Sequence, residues 1–238
     1  VNRDFLFGLV YFATLLVHLY AGNAGQDVLT QLTKPALVSS LIIYVLLSAR
    51  KRSFGKFGTL LILGLVFSLG GDVLLMFQEV DDVWFTLGLG SFLIAHVLYT
   101  IAFTKTYLDN HTIPLLKRYG WVLIAVVGYG LYFFNLIKDH LGSMLGPVMV
   151  YTLAITVMLL LALNRYEKVS TRSFMAIAVG ALFFVASDSI LAWNKFVHPL
   201  DYSHVLIMGT YGIAQYGIAL GGVFQLRHRG VVTLNQNY

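Results

Sequence analysis

Two carboxylates stand where an apolar chain has little use for them: Asp72 within FSLGGDVLLMF and Asp188 within VASDSILAW. The other acids among the 11 fall in polar stretches or at the ends of apolar ones. An ionisable group at membrane depth costs roughly 2.5 to 3.5 kcal/mol on insertion scales, so a chain that keeps two has a use for them. Asp72 precedes Gln78, and Asp188 precedes Asn194, by the same interval. On a helix that interval sets each carboxyl about 9 Å below the same rim. Two carboxyls that meet away from water resist double ionisation and share one proton. Such a pair offers an acid and a base in one pocket, the arrangement that hydrolyses acid-labile C–O bonds through an oxocarbenium-like state.

The helices that must carry these acids have faces suited to burial. Gly64, Ser68 and Asp72 recur every fourth residue, a stripe of small side chains that admits a neighbouring helix. Behind Asp188 the same positions hold Phe184 and Gly180, with Ser187 alongside. An internal echo links SFLIAHVLYTIAF (91–103) to GTYGIAQYGIAL (209–220) and matches His96 with Gln215, each about 18 Å from its rim. An acid in one segment and a deeper polar group in the next thus recur in both halves, which predicts a shared polar cavity. Blander roles compete. A membrane Asp can be a packing residue satisfied by Ser or Tyr, and a lone His in a span is more often a core residue than a ligand. His18 lies near a rim and is the weaker histidine. Most Tyr and Phe residues read as interface belt and packing, and Gly217 to Gly221 as a helix contact.

The elements follow from composition. The 238 residues are 58% hydrophobic and 11% charged, where a soluble domain carries about 25% charge. Apolar segments at 5–21, 35–49, 58–77, 84–104, 120–137, 144–163, 173–193 and 203–226 predict an all-α, polytopic membrane protein with eight spans. The expected organisation is a single integral membrane domain over 1–238, with a parallel repeat dividing it into 1–110 and 111–238. The first segment reads as a span, since no small-residue cleavage site follows it. All but Lys34, Lys138 and Lys195 of the 16 basic residues fall on one side, so both termini are expected in the cytoplasm. The pI near 9.3 follows from basic loops facing anionic lipid and makes no case for nucleic acid. There is no Cys, which excludes thiolate chemistry.

Depth narrows the substrate. A lipid phosphate lies at the rim and its glycerol linkages a few ångströms below, so Lys34 and Lys195 are candidate phosphate contacts above the two acids, with rim anchoring as the equal alternative. At this point TKPALVSS (33–40), GDVLLM (71–76), GLGSFLIAHVLYTIAF (88–103), VMVYTLAITVM (148–158), GALFFVASDSILAWNKF (180–196) and YGIAQ (211–215) together resemble the YhhN-like lysoplasmalogenase family. The likeness spans segments two to eight. It implies a membrane hydrolase that cleaves the vinyl ether of lysoplasmenyl-ethanolamine or -choline to a fatty aldehyde and a glycerophospho-alcohol. The family's motif acids correspond to Asp72 and Asp188. His96, Tyr99, Tyr151, Gln215 and Asn194 join the two lysines as candidate substrate-binding residues, and neither a metal nor an organic cofactor is expected.

Two other functions use paired membrane acids. A proton-coupled transporter or channel would need helix breaks at mid-membrane, whereas Pro35 and Pro147 fall at segment starts. An intramembrane aspartyl protease fits less well, because Leu69-Gly70-Gly71 before Asp72 departs from a GxGD arrangement and PAL (35–37) precedes both acids. Compact loops and short tails favour a bacterial inner membrane over an endoplasmic reticulum.

Overall fold

The computed structural model describes residues 3–48, 54–104 and 113–235, with side chains as far as residue 228. Arg50, Lys51, Arg52, Lys105 and the side chain of Arg229, on which part of the orientation reading rests, lie outside the described residues. Helices α1 (Arg3–Asn23), α2 (Asp27–Ser48), α3 (Gly55–Leu75), α4 (Asp82–Thr104), α5 (Leu115–Arg118), α6 (Gly120–Ile137), α7 (Leu145–Leu163), α8 (Thr171–Phe196) and α9 (Ser203–Asn235) account for the regular structure, and no strand occurs among the described residues. Eight helical stretches are long and apolar enough to cross a bilayer. The chain is an integral, multi-pass membrane protein. Long apolar sequences adopt helices in lipid because only a helix satisfies its own backbone without water.

Two tight helix pairs organise the bundle, α3 against α4 and α8 against α9. The second is a backbone-to-backbone contact. A Cβ on Gly180 would come within 2.8 Å of the Ala214 carbonyl, and one on Gly217 within 2.8 Å of the Ala176 carbonyl. The Gly217 to Gly221 stretch is thus the helix contact its composition suggests, with Gly221 held as closely against Ser173. Between α3 and α4 the close approach is to rings instead: Gly64 lies under Tyr99 and Gly71 under Phe92. Those two glycines let aromatic side chains of α4 lie flat on the helix that carries Asp72. Helix α1 packs on α2 and α9. Arg227 clamps Asp4 through two hydrogen bonds, at 2.6 and 2.9 Å, and Tyr44 donates to the same carboxylate at 2.8 Å.

The element boundaries depart from hydropathy at α2 and in the connection between α6 and α7. Helix α2 starts at Asp27, so Pro35 sits inside it instead of at its start. Its polar first turns lie outside the apolar run that marked the segment, and the ring removes one backbone donor without ending the helix. Pro147 is in the first turn of α7, where no donor is lost. The chain between α6 and α7 coils through two short 3₁₀ turns, Lys138–His140 and Gly142–Met144, with Gly142 at φ +50° supplying the left-handed residue.

Candidate active site

Asp72 ends a chain of hydrogen bonds drawn from three helices. Tyr211 of α9 donates to its carboxylate at 2.6 Å, and the Gln215 amide one turn further on donates to the Tyr211 hydroxyl at 3.0 Å. Tyr99 of α4 donates to the Gln215 carbonyl oxygen at 3.3 Å, and its hydroxyl lies 3.4 Å from that of Ser68, one turn before Asp72 on α3. From Tyr99 onward each donor points toward Asp72. A buried network so directed terminates on a group that accepts, and it stabilises negative charge there. Asp72 is 2% exposed, so little solvent competes for it.

Asp188 has a sparser setting. Tyr151 of α7 donates to its carboxylate at 2.5 Å. The His96 ring, from α4, brings Nε2 to 3.9 Å of the same oxygen, and neither ring nitrogen has a hydrogen-bond partner among the described residues. That ring is fully buried, edge-on to Tyr151 and to Phe184. The Asp188 side chain is 17% exposed.

Both acids line one cavity of about 280 Å³, which also receives Lys34, Asn194, His204 and Tyr211. Among the described residues no hydrogen bond or ion pair holds the Lys34 ammonium. It is the cation that faces the acids. Asn194 contributes to the wall and braces the turn into α9 by accepting from the Leu200 amide at 2.8 Å. Lys195 is elsewhere. Its ammonium pairs with Asp82 at 3.0 Å, lies over the Phe85 ring and borders a separate rim cavity. Of the candidate residues, then, Asp72, Asp188, Lys34 and Asn194 share the cavity. Tyr99, Gln215, Tyr151 and His96 stand behind its acids, and Lys195 stands apart.

The two acids make no hydrogen bond to each other among the described residues; each is held by its own tyrosine. The pairing also crosses the halves of the chain. His96, from the first half, attends Asp188, while Gln215, from the second, supports Asp72. Sequence reasoning missed Tyr211 and His204. The signal for Tyr211 was present: it lies four residues before Gln215, on the same buried helix face, in YGIAQ. His204 gave less warning. Its ring packs on that of His18 at 4.9 Å, and His18, despite its place near the rim, is fully buried and bonded through Nδ1 to Thr33 at 2.8 Å.

The sequence profile of the YhhN family matches residues 29–222. The chain belongs to the YhhN family. Human lysoplasmalogenase TMEM86A is 37% identical over 173 residues, which are 69% of this chain and 65% of that protein. Human lysoplasmalogenase TMEM86B is 32% identical over 170 residues, 71% of this chain and 66% of the relative. A lysoplasmalogenase of Mycobacterium bovis is 30% identical over 223 residues, 90% of this chain and 79% of the relative. The chain thus spans just under two thirds of the human relatives it matches. No solved structure matches it significantly.

Proposed function

We propose that this protein hydrolyses the sn-1 vinyl ether of lysoplasmalogens, lysoplasmenylethanolamine or lysoplasmenylcholine, to a fatty aldehyde and the glycerophospho-alcohol. The observation that carries this reading is one cavity holding two membrane acids from α3 and α8 together with Lys34, whose ammonium no ion pair holds among the described residues. The kinship with proteins named lysoplasmalogenases points the same way. Lys34 binds the phosphate, and Asn194 and His204 border the glycerol and headgroup.

The two settings suggest two roles. Asp188, with apolar neighbours and one tyrosine, is the proton donor; Asp72, at the receiving end of a donor chain and facing Lys34, is the carboxylate that takes a proton from water. Asp188 protonates the vinyl carbon remote from oxygen, and the adjoining carbon becomes an oxocarbenium centre. Water adds there as Asp72 removes its proton, giving a hemiacetal. The C–O bond to glycerol then breaks: Asp72 returns a proton to the departing glycerol oxygen, while Asp188 recovers one from the hemiacetal hydroxyl. Both acids end as they began. Tyr151 and Tyr211 fix the carboxyl orientations, and His96 lies one short movement from hydrogen-bonding Asp188 once substrate fills the cavity.

The acid pair works from the exoplasmic end of the bundle with both termini in the cytoplasm, and the host is a bacterial inner membrane. The test is aldehyde release by purified protein from a vinyl-ether lysolipid and from its ester and alkyl-ether analogues. Only the vinyl ether should react, and in D₂O the aldehyde should carry one deuterium on the carbon next to the carbonyl. Equal cleavage of the ester would overturn the reading.

A further inference from the structure

Asp188 borders a second space. On the side away from Lys34 its carboxyl opens on an apolar chamber of about 60 Å³ walled by Leu89, Phe133, Val148 and Ile155. Gly130, Thr152 and Thr156 line both this chamber and an apolar groove of about 320 Å³ between α6 and α7, so they form the boundary across which a passage between the two would run. The groove reaches the lipid face, where Leu131 and Leu153 are 66% and 65% exposed. The two threonines do not make the passage polar. Thr152 Oγ1 donates to the Val148 carbonyl at 2.8 Å and Thr156 Oγ1 to the Thr152 carbonyl at 2.6 Å, so both hydroxyls are satisfied within α7. At that boundary Gly130 lies close on α7, where a Cβ would sit 2.8 Å from Thr156 Oγ1, so a larger side chain there would block the way.

We propose that this passage is the binding site for the substrate's hydrocarbon chain, entered sideways from the bilayer between α6 and α7, and that it sets chain-length preference and releases the aldehyde back into lipid. The inference rests on the vinyl-ether reading, in which the scissile group joins a charged head to an alkyl tail. Asp188 lies where a polar chamber with Lys34 meets an apolar one that runs to lipid. A substrate laid across that junction has its head beside the cation, its tail between α6 and α7 and its vinyl ether at the carboxyl. A chain that fills such a passage makes packing contacts along it that a shorter chain lacks, so the longer chain is preferred.

Two measurements test this. The first compares kcat/KM for short-chain and long-chain vinyl-ether lysolipids in wild type and in Gly130→Leu, with folding checked by thermal unfolding. The substitution should lower the long-chain value by about tenfold or more and the short-chain value far less; equal losses for both in a folded variant would overturn the proposal. The second needs no turnover and no substitution: a lysolipid with a photoreactive diazirine at the end of its chain, irradiated in bilayers with wild-type protein. Adducts should map to Leu131, Met149 or Leu153, and adducts confined to α1 and α2 would overturn the proposal. Adducts between α6 and α7 in a protein that leaves vinyl ethers intact would retain the chain site and defeat the hydrolase reading. Hydrolysis with adducts elsewhere would do the reverse.

Discussion

Asp72 and Asp188 open on the same cavity yet are held differently, and the proposal of a base and an acid rests on that difference. Around Asp72 the bundle supplies a directed series of donors, Tyr99, Gln215 and Tyr211, and a facing ammonium on Lys34. Around Asp188 it supplies one tyrosine, an imidazole just out of bonding range and an apolar chamber. A membrane protein that needed two interchangeable acids for packing would have no reason to build such unlike surroundings. Charge is stabilised where donors converge and left poorly stabilised where hydrocarbon lies alongside.

The largest expected effects come from removing the functional oxygens. Asp188→Asn should lower kcat on the vinyl ether by at least about a hundredfold, the usual scale of general acid catalysis, with little change in KM. Asp72→Asn should cost a similar factor. An aldehyde assay on each variant checks this, and normal turnover in either erases the contrast. Removing the donors sharpens it. Tyr211→Phe takes away the hydrogen bond through which the Tyr99–Gln215 chain reaches Asp72, and Tyr151→Phe takes away the one that Asp188 receives among the described residues. A hydrogen bond to a charged group contributes about 1.5 to 3 kcal/mol, so tenfold to hundredfold losses in kcat are expected, with Tyr211→Phe at the upper end because the chain behind it strengthens its bond. Equal losses in the two would mean that the Asp72 network adds nothing. The smallest effects separate the lysines. Lys34→Ala should raise KM several-fold with kcat retained, whereas Lys195→Ala, which breaks a rim ion pair with Asp82, should change KM by less than about twofold. Substrate-saturation curves decide between them, and the opposite order would move the phosphate site to the rim.

Much of this site could be read from the chain. The two acids stood out because an apolar helix tolerates a carboxylate only for a reason, and counting residues to Gln78 and Asn194 set them at one level, in keeping with the cavity that all four residues line. The helix contacts at Gly64 and Gly217 followed from residue size. What stayed hidden were relations between distant helices. Tyr211 resembles the many tyrosines of an interface belt until its hydroxyl is seen on Asp72, 139 residues away. Nothing local tells Lys34, which faces the cavity, from Lys195, which Asp82 neutralises across 113 residues. The crossed pairing of His96 with Asp188 and of Gln215 with Asp72 is likewise a property of packing, since each half alone suggests that its own polar residue serves its own acid. Pro35 misled because hydropathy marks where apolar residues begin, and α2 begins with polar ones.

The central claim is that the two unlike carboxyls act together on one bound lipid, and a double-variant cycle tests it most directly. Aldehyde release would be compared in wild type, Asp72→Asn, Asp188→Asn and the doubly substituted protein, each reconstituted in bilayers. Groups that act as a unit are strongly non-additive, so the double variant should be no more than a few-fold slower than the slower single one. Losses that multiply, or a single variant that turns over normally, would mean that the acids work independently and would contradict the account.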